Sequence, residues 1–416
     1  MADYHLSIYQ YITERKTLFR NIFYLALIYK AHLLMKSTYI LLIFCCIGWN
    51  LQAQAIYETI DSYKLEGKRE LKIQLPRNYD AEADRTYPLV IVLDGDYLFE
   101  PVAGNIDYQA YWEDIPDCIV VGIKQGSTRE DDFFYDDETF FPAHEGADFY
   151  EFMGAELLPY IEDKYKVSDY RIIFGHDLSA NFINYYLFKD EPLFRAYVAL
   201  SPDLAPEMAS RIQQRLSILQ EETFYYMATA DADVKALRNA IIESDAKLKM
   251  VENTKLHYKF DNFEDANHYS LVGRGIPKAL NEIFELYKPI NGKEYKEKVL
   301  TFEGSPYDYL MKKYEDIEYF YGFEKKLIEN DVRAIAAACN KKDDLESLEK
   351  LSKLVKKEFP KSMLSAYYLG MYNEKEGNLK RALQRYKSGL LLEPSQFIDK
   401  ELMLEKMYDI QDAMKN

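Results

Sequence analysis

Seven short apolar runs, separated by longer amphipathic stretches, constrain the fold of this chain more than any other feature. They are Leu71–Leu75, Leu89–Leu93, Ile119–Ile123, Ile172–Phe174, Ala196–Leu200, Phe224–Ala228 and His257–Phe260. Between them, Ala147–Lys164 and Val234–Lys249 repeat their apolar residues at helical spacing. Strand-length runs alternating with helices predict βαβ units around a mostly parallel sheet flanked by helices. The pattern breaks at Pro289-Ile290-Asn291-Gly292, and beyond it the chain reads as helical, rich in Lys, Glu and Leu. At 416 residues the chain exceeds one ordinary core, so the expected division is an α/β domain over 56–290, a linker with helices over 291–326, and a small all-helical domain over 327–416.

The tail carries a repeat. Leu369-Gly370, Gly377-Asn378, Ala382, Tyr386 and Pro394 fall at the spacings of a tetratricopeptide (TPR) helix pair. Pro360 precedes Pro394, Ala336 precedes Gly370, and Leu345 precedes Leu379, each by 34 residues. Two such units and a closing helix at Lys400–Met414 make a small TPR-like solenoid. Its helices are a possible contact surface for a protein partner, although packing against the α/β domain is the simpler role.

The N-terminal region reads as an export signal. Met35-Lys36, an apolar run from Tyr39 to Trp49, and small residues around Ala53 and Ala55 have the order of a secretory signal peptide over 35–55, which implies the periplasm or exterior of a bacterium. Residues 1–34 then read as a mis-called extension, and a membrane contact is expected only through an uncleaved N-terminus. Cys45 and Cys46 would leave with the signal, and Cys118 and Cys339 are too far apart in sequence to imply a disulfide framework. A formal net charge of −17 argues against nucleic-acid binding, because it repels a phosphate backbone. His144 and His176 have no partner at metal-ligand spacing, and no metal or cofactor is implied.

Candidate chemistry centres on Gly175-His176-Asp177-Leu178-Ser179, between the run Arg171–Phe174 and a helix-like stretch from Ala180. That is the strand–turn–helix context of a G-x-S-x-G nucleophile elbow, with Asp177 where the serine belongs and Ser179 where the last glycine belongs. An acid and then a histidine should follow. Asp231 and Asp233 come just after the run Phe224–Ala228, and His268 lies in Asp265-Ala266-Asn267-His268-Tyr269-Ser270. Either aspartate can orient the imidazole, and Asp233 is preferred because Asp231 can as easily cap the helix beginning near Val234. An oxyanion hole would use the backbone N–H of Leu178 with that of Asp96 or Tyr97, in the turn Asp94-Gly95-Asp96-Tyr97. The acidic, aromatic loop Arg129–Phe141 is placed to overhang this pocket.

Taken together, residues 71–290 resemble the esterase family of α/β-hydrolases that includes enterobactin esterase, esterase D and S-formylglutathione hydrolase. The resemblance is carried by Tyr87–Gly95, Val120–Ile123, Phe149–Phe152, Glu156–Ile161, Gly175-His176, Phe194–Tyr197, Leu200-Ser201-Pro202 and His268. It implies an α/β-hydrolase fold and a small ester-like ligand, with serine expected at position 177.

The aspartate leaves enzymatic activity open. Gly175-His176-Asp177 also resembles the elbow of epoxide hydrolases and haloalkane dehalogenases, where the carboxylate attacks an sp³ carbon. Those enzymes carry a tryptophan where Leu178 stands, and a helical cap for which Ser201–Phe224 is short. A degenerate site is the other reading: a carboxylate beside an oxyanion hole opposes acyl transfer, and the chain becomes a non-catalytic envelope binding or scaffold protein. Proton transfer by an Asp177–His268 pair is a third possibility.

Overall fold

A computed structural model describes residues 55–82 and 85–415. The expectations for residues 1–34 and for the export signal, Ala55 apart, lie outside the described residues. Among the described residues no helix is long and apolar enough to cross a membrane.

Eight strands form one sheet in the order β1-β2-β4-β3-β5-β6-β7-β8. They are β1 Ile56–Ser62, β2 Gly67–Gln74, β3 Tyr87–Val92, β4 Ile119–Ile123, β5 Val167–His176, β6 Ala196–Leu200, β7 Thr223–Ala232 and β8 Leu256–Asn267. β1 pairs with β2, and β2 with β4, in antiparallel fashion; every other neighbouring pair is parallel. Each of the seven apolar runs falls on a strand, with Leu75 and Leu93 one residue past the ends of β2 and β3. β1 was not read from the sequence, and β5, β7 and β8 extend beyond their apolar runs.

Strand residues divide between two faces with period two. Leu89 and Ile91 of β3, with Val121, Ile173, Tyr197 and Tyr225, pack in one core with Phe149 and Phe152 of α2 Glu145–Phe152, Leu158 and Ile161 of α3 Leu158–Lys164, and Ile212 of a later helix. Val90 and Val92, with Val120, Ile172, Phe174, Val198 and Tyr226, face the other core, against α1 Phe99–Tyr111 and a helix near the end of the α/β region. Fully buried β3, β4 and β6 explain why the sequence showed continuous apolar runs rather than alternation.

The remaining helices are α4 Leu178–Phe182, α5 Met208–Ile218, α6 Lys235–Leu248, α7 Val272–Ile283, α8 Pro306–Tyr321, α9 Glu329–Lys342, α10 Leu345–Glu358, α11 Met363–Lys375, α12 Leu379–Gly389 and α13 Lys400–Ala413, with several single helical turns between elements. The last five pack as successive neighbours around a third core containing Val332, Leu351, Leu364, Ala382 and Met403. α8 does not belong to that bundle alone: its Ile317 and Tyr321 lie in the second core of the sheet. Tyr321 Oη donates to the carbonyl of Ile283 at 2.8 Å. The described residues accordingly form one compact unit.

Candidate active site

Parallel strands deliver their C-terminal ends to one edge of the sheet, where open α/β sheets bind ligands. β3 ends before Asp94, β5 at His176-Asp177, β6 before Ser201, β7 before Asp233 and β8 before His268. Asp94, Asp177 and Ser201 all have positive φ, at 53°, 63° and 44°. Three non-glycine residues held in that region at adjoining strand ends concentrate backbone strain at this edge.

The elbow turns sharply from β5 into α4. A Cβ on Gly175 would come within 2.6 Å of the Ser179 backbone, so only glycine fits there. Ser179 replaces the last glycine by directing its hydroxyl inward. It accepts from the His176 N–H at 2.8 Å and donates to Asp94 Oδ2 at 2.6 Å.

Asp233 is the aspartate brought to His268, with Oδ1 2.9 Å from Nδ1. Its other oxygen accepts from Ser201 Oγ and Thr229 Oγ1, each at 2.7 Å. Burial opposes the charge on Asp233, but bonds from His268, Ser201, Thr229 and the Val234 N–H outweigh it and hold the carboxyl at about 2. Asp231 goes elsewhere: its exposed carboxylate bonds Arg238 and Asn262, each at 2.9 Å, and it caps no helix. The strand β7 continues to Ala232 with a register shift between Ala230 and Ala232, which turns Asp231 outward and Asp233 inward.

Beyond His268 lies Asp177, with Oδ1 3.9 Å from Nε2. The bond to Asp233, opposed by burial and assisted by the charges of Asp233 and Asp177, raises the pKa of His268 above the usual imidazole value. On the opposite side, Asp177 Oδ2 is 3.3 Å from Arg129 Nη2. Arg129 is itself fastened to Asp94, Nε to Oδ1 at 2.5 Å and Nη2 to Oδ2 at 3.0 Å. Burial alone would favour loss of its proton; the Asp94 bond and the nearby Asp177 charge more than reverse this. The result is a line of alternating charge, Asp94–Arg129–Asp177–His268–Asp233.

The expected oxyanion donors fare unequally. The N–H of Leu178 has no acceptor among the described residues, and neither does that of Asp96. The N–H of Tyr97 is unavailable, because it closes the turn onto the Asp94 carbonyl at 3.1 Å. Arg129, Asp94 and Ser201 lie in segments read from the sequence, but their side chains were given no role there. Arg129 is the one basic residue in Arg129-Glu130-Asp131-Asp132, and its pairing with the elbow becomes legible once the strand order puts the loop after β4 beside β3 and β5.

Residues 62–257 match the family model described as Putative esterase. A solved structure of an uncharacterised protein from Capnocytophaga ochracea DSM 7271 is 33% identical, covering 86% of this chain and 100% of that one with a TM-score of 0.74. An IroE-like serine hydrolase from Shewanella oneidensis is 19% identical over 72% of this chain and 98% of that one, at a TM-score of 0.56. The siderophore hydrolase EstA from Aspergillus nidulans is 15% identical over 57% and 97%, at 0.50. The last two show the fold alone. No curated protein sequence matches. The eight-stranded sheet, the elbow at its edge and the matched family model together show that this chain belongs to the esterase family of α/β-hydrolases.

Proposed function

We propose that this chain is an exported member of the esterase family that has lost serine-type ester cleavage and retains the site as a binding pocket. The carrying observation is the engagement of Asp177, fixed on one side by Arg129 at 3.3 Å and facing His268 at 3.9 Å on the other. In acyl transfer, a neutral hydroxyl passes its proton to the imidazole, and negative charge then develops beside backbone N–H groups. Asp177 puts a carboxylate, in place of a hydroxyl, beside the position where that charge would develop. The bond to Asp233, with the charge of Asp177 adding to it, also raises the pKa of His268 and so favours the protonated ring over the neutral base. Neither nearby serine substitutes for the missing hydroxyl. Ser179 and Ser201 are fully buried and donate to Asp94 and Asp233.

On this reading the pocket holds a small ester-like molecule without cleaving it, and the helical region is available to a protein partner. The signal read from Met35 assigns the protein to the periplasm or exterior of a bacterium. The hairpins α9–α10 and α11–α12, related by the 34-residue spacing, support a pair of TPR-like units closed by α13.

One observation favours a second reading. Asp177 Oδ1 has no hydrogen-bond partner among the described residues and lies beside a histidine backed by Asp233. It could attack an sp³ carbon, expelling the leaving group with its electron pair; a water deprotonated by His268 would then hydrolyse the ester. Against it, Arg129 withdraws charge from the same carboxylate.

The purified chain should be treated with a fluorophosphonate probe and with nitrophenyl-ester, epoxide and haloalkane panels in ¹⁸O-labelled water. The expected result is no labelling and no turnover, with fluorophosphonate labelling gained in Asp177→Ser. Ester turnover by the natural chain would overturn the proposal, and ¹⁸O in the Asp177 carboxylate would install the second reading.

A further inference from the structure

His176, at the end of β5, has a side chain that the charge line does not use. It is 2% exposed. Its Nε2 lies 3.0 Å from the backbone carbonyl oxygen of His268, and its Nδ1 lies 3.0 Å from the Tyr97 hydroxyl. A carbonyl oxygen can only accept, so Nε2 carries a proton. Burial, with the charge of His268 adding to it, lowers the His176 pKa and keeps the ring neutral. Nδ1 is therefore an acceptor, and the Tyr97 hydroxyl is its donor. Tyr97 Oη also lies 3.1 Å from Asp94 Oδ2, but that oxygen already accepts from Ser179 and from Arg129. The phenol proton is thus better used by His176.

This sequence of bonds ends on the backbone of the residue that the site most needs to hold still. The His268 imidazole is fixed at Nδ1 by Asp233, while its main chain is fixed by His176. The two imidazoles also lie against each other, with centroids 4.5 Å apart. Within its own loop, Asn267 Oδ1 accepts from the N–H groups of Tyr269 and Ser270, which tightens the turn without tying it to the elbow. The tie to the elbow comes from His176.

We propose that His176 is a positioning residue, held in its Nε2–H tautomer between the His268 carbonyl and the Tyr97 hydroxyl, that clamps the histidine loop to the elbow and so keeps His268 against Asp233. The inference rests on the reading of His268 and Asp233 as the paired members of the site. It assigns a function to two side chains outside the acid–histidine pair. It also gives the Asp94–Tyr97 turn a purpose other than oxyanion binding through the Tyr97 N–H.

The test is ¹⁵N and ¹H NMR of histidine side chains in the full chain, whose six histidines can be assigned by substitution. In the natural protein His176 should appear as a single Nε2–H tautomer that does not titrate near neutrality. In His176→Phe the titration midpoint of His268 should fall by about 0.5 pH unit or more, because a loosened loop weakens the Asp233 bond that raises it. Tyr97→Phe perturbs packing far less and should shift the Nδ1 resonance of His176, which loses its hydrogen-bond donor, while the His268 carbonyl keeps the proton on Nε2. A His176 found protonated on Nδ1, or unchanged ring signals in Tyr97→Phe, would overturn the clamp. Asp233→Asn separates the two levels. If it shifts His268 while His176→Phe does not, the clamp fails and the site stands; if neither variant shifts His268, the site reading fails first.

Discussion

Asp233 accepts hydrogen bonds from His268, Ser201, Thr229 and the Val234 N–H on a side chain that water does not reach. Its carboxyl at about 2, against about 3.9 for a free aspartate, means that the folded state binds its proton less tightly than the unfolded state. Its contribution, about 2 kcal/mol, is complete above pH ~4 and disappears as the pH falls through about 2. His268 has the opposite sign. Its raised pKa adds stability that is complete below about 6.5 and is lost as the pH rises through its folded value. Asp233→Asn should therefore lower stability by about 2 kcal/mol at pH 6 and flatten the acid limb, as measured by urea unfolding across pH. An unchanged acid limb would mean that Asp233 is not the group that loses its charge there. At this scale the sequence was half legible. Chain order was enough to find position 177, the histidine and a pair of candidate acids. Asp233 was preferred over Asp231 on a helix-cap argument, but what turns the two apart is a strand irregularity, and finding Arg129 depended on strand order, neither of which is written in local pattern.

Elements were legible where burial is symmetrical. β3, β4 and β6 are covered on both faces and announced themselves as unbroken apolar runs. β1 did not: Ile-Tyr-Glu-Thr-Ile-Asp-Ser is an antiparallel edge strand, largely exposed, whose mixed composition carries little apolar signal. β8 runs well past its apolar core because register with β7, not its own composition, sustains it to Asn267. In the helical region Gly370, one of the repeat positions, sits at a close approach of two helices. A Cβ on Gly370 of α11 would lie 2.4 Å from the Tyr386 ring of α12, and that ring is fully buried with its hydroxyl on Glu374 at 2.9 Å. Because the ring has no empty space to enter, Gly370→Ala should cost about 1–3 kcal/mol despite alanine's better helix propensity. A thermal scan showing equal or higher stability would mean that the two helices can separate without loss. Gly104 of α1, where a Cβ would meet nothing within 4 Å, provides the control: its alanine variant should be neutral or stabilised.

For the molecule as a whole, the boundary near residue 290 marks a change of composition and is crossed by a buried junction. Tyr321 from α8 lies among Tyr170 and Phe284 of the α/β region, with ring centroids 5.1 and 5.4 Å away. Close by, Asp331 of α9 accepts from the Ile290 N–H at 2.7 Å and from Tyr314 Oη at 2.9 Å. Lys325 completes this group, 1% exposed, with Nζ bonded to the Tyr287 carbonyl, 3.7 Å from Asp331 Oδ2 and 4.4 Å above the Tyr287 ring. Burial is the largest influence on Lys325 and lowers its pKa to about 8; Asp331, Glu113 and Glu294 oppose it, while Lys313 reinforces it. The sign is the reverse of the usual paired lysine. Between about 8 and the ~10.4 of an exposed lysine, the unfolded chain holds the proton more firmly than the folded one, so this group makes stability rise with pH. A full shift of that size corresponds to about 3 kcal/mol. Lys325→Met keeps the apolar stem and removes the titration. The stability of the natural chain relative to Lys325→Met should therefore increase by up to about 3 kcal/mol from pH 8 to 10.5, measured by denaturant unfolding of both proteins in parallel. Taking the difference between the two removes the contribution of the many buried tyrosines, which titrate alike in both. Parallel curves would show that Lys325 keeps an ordinary pKa, and hence that water reaches the junction between the sheet and the helical region.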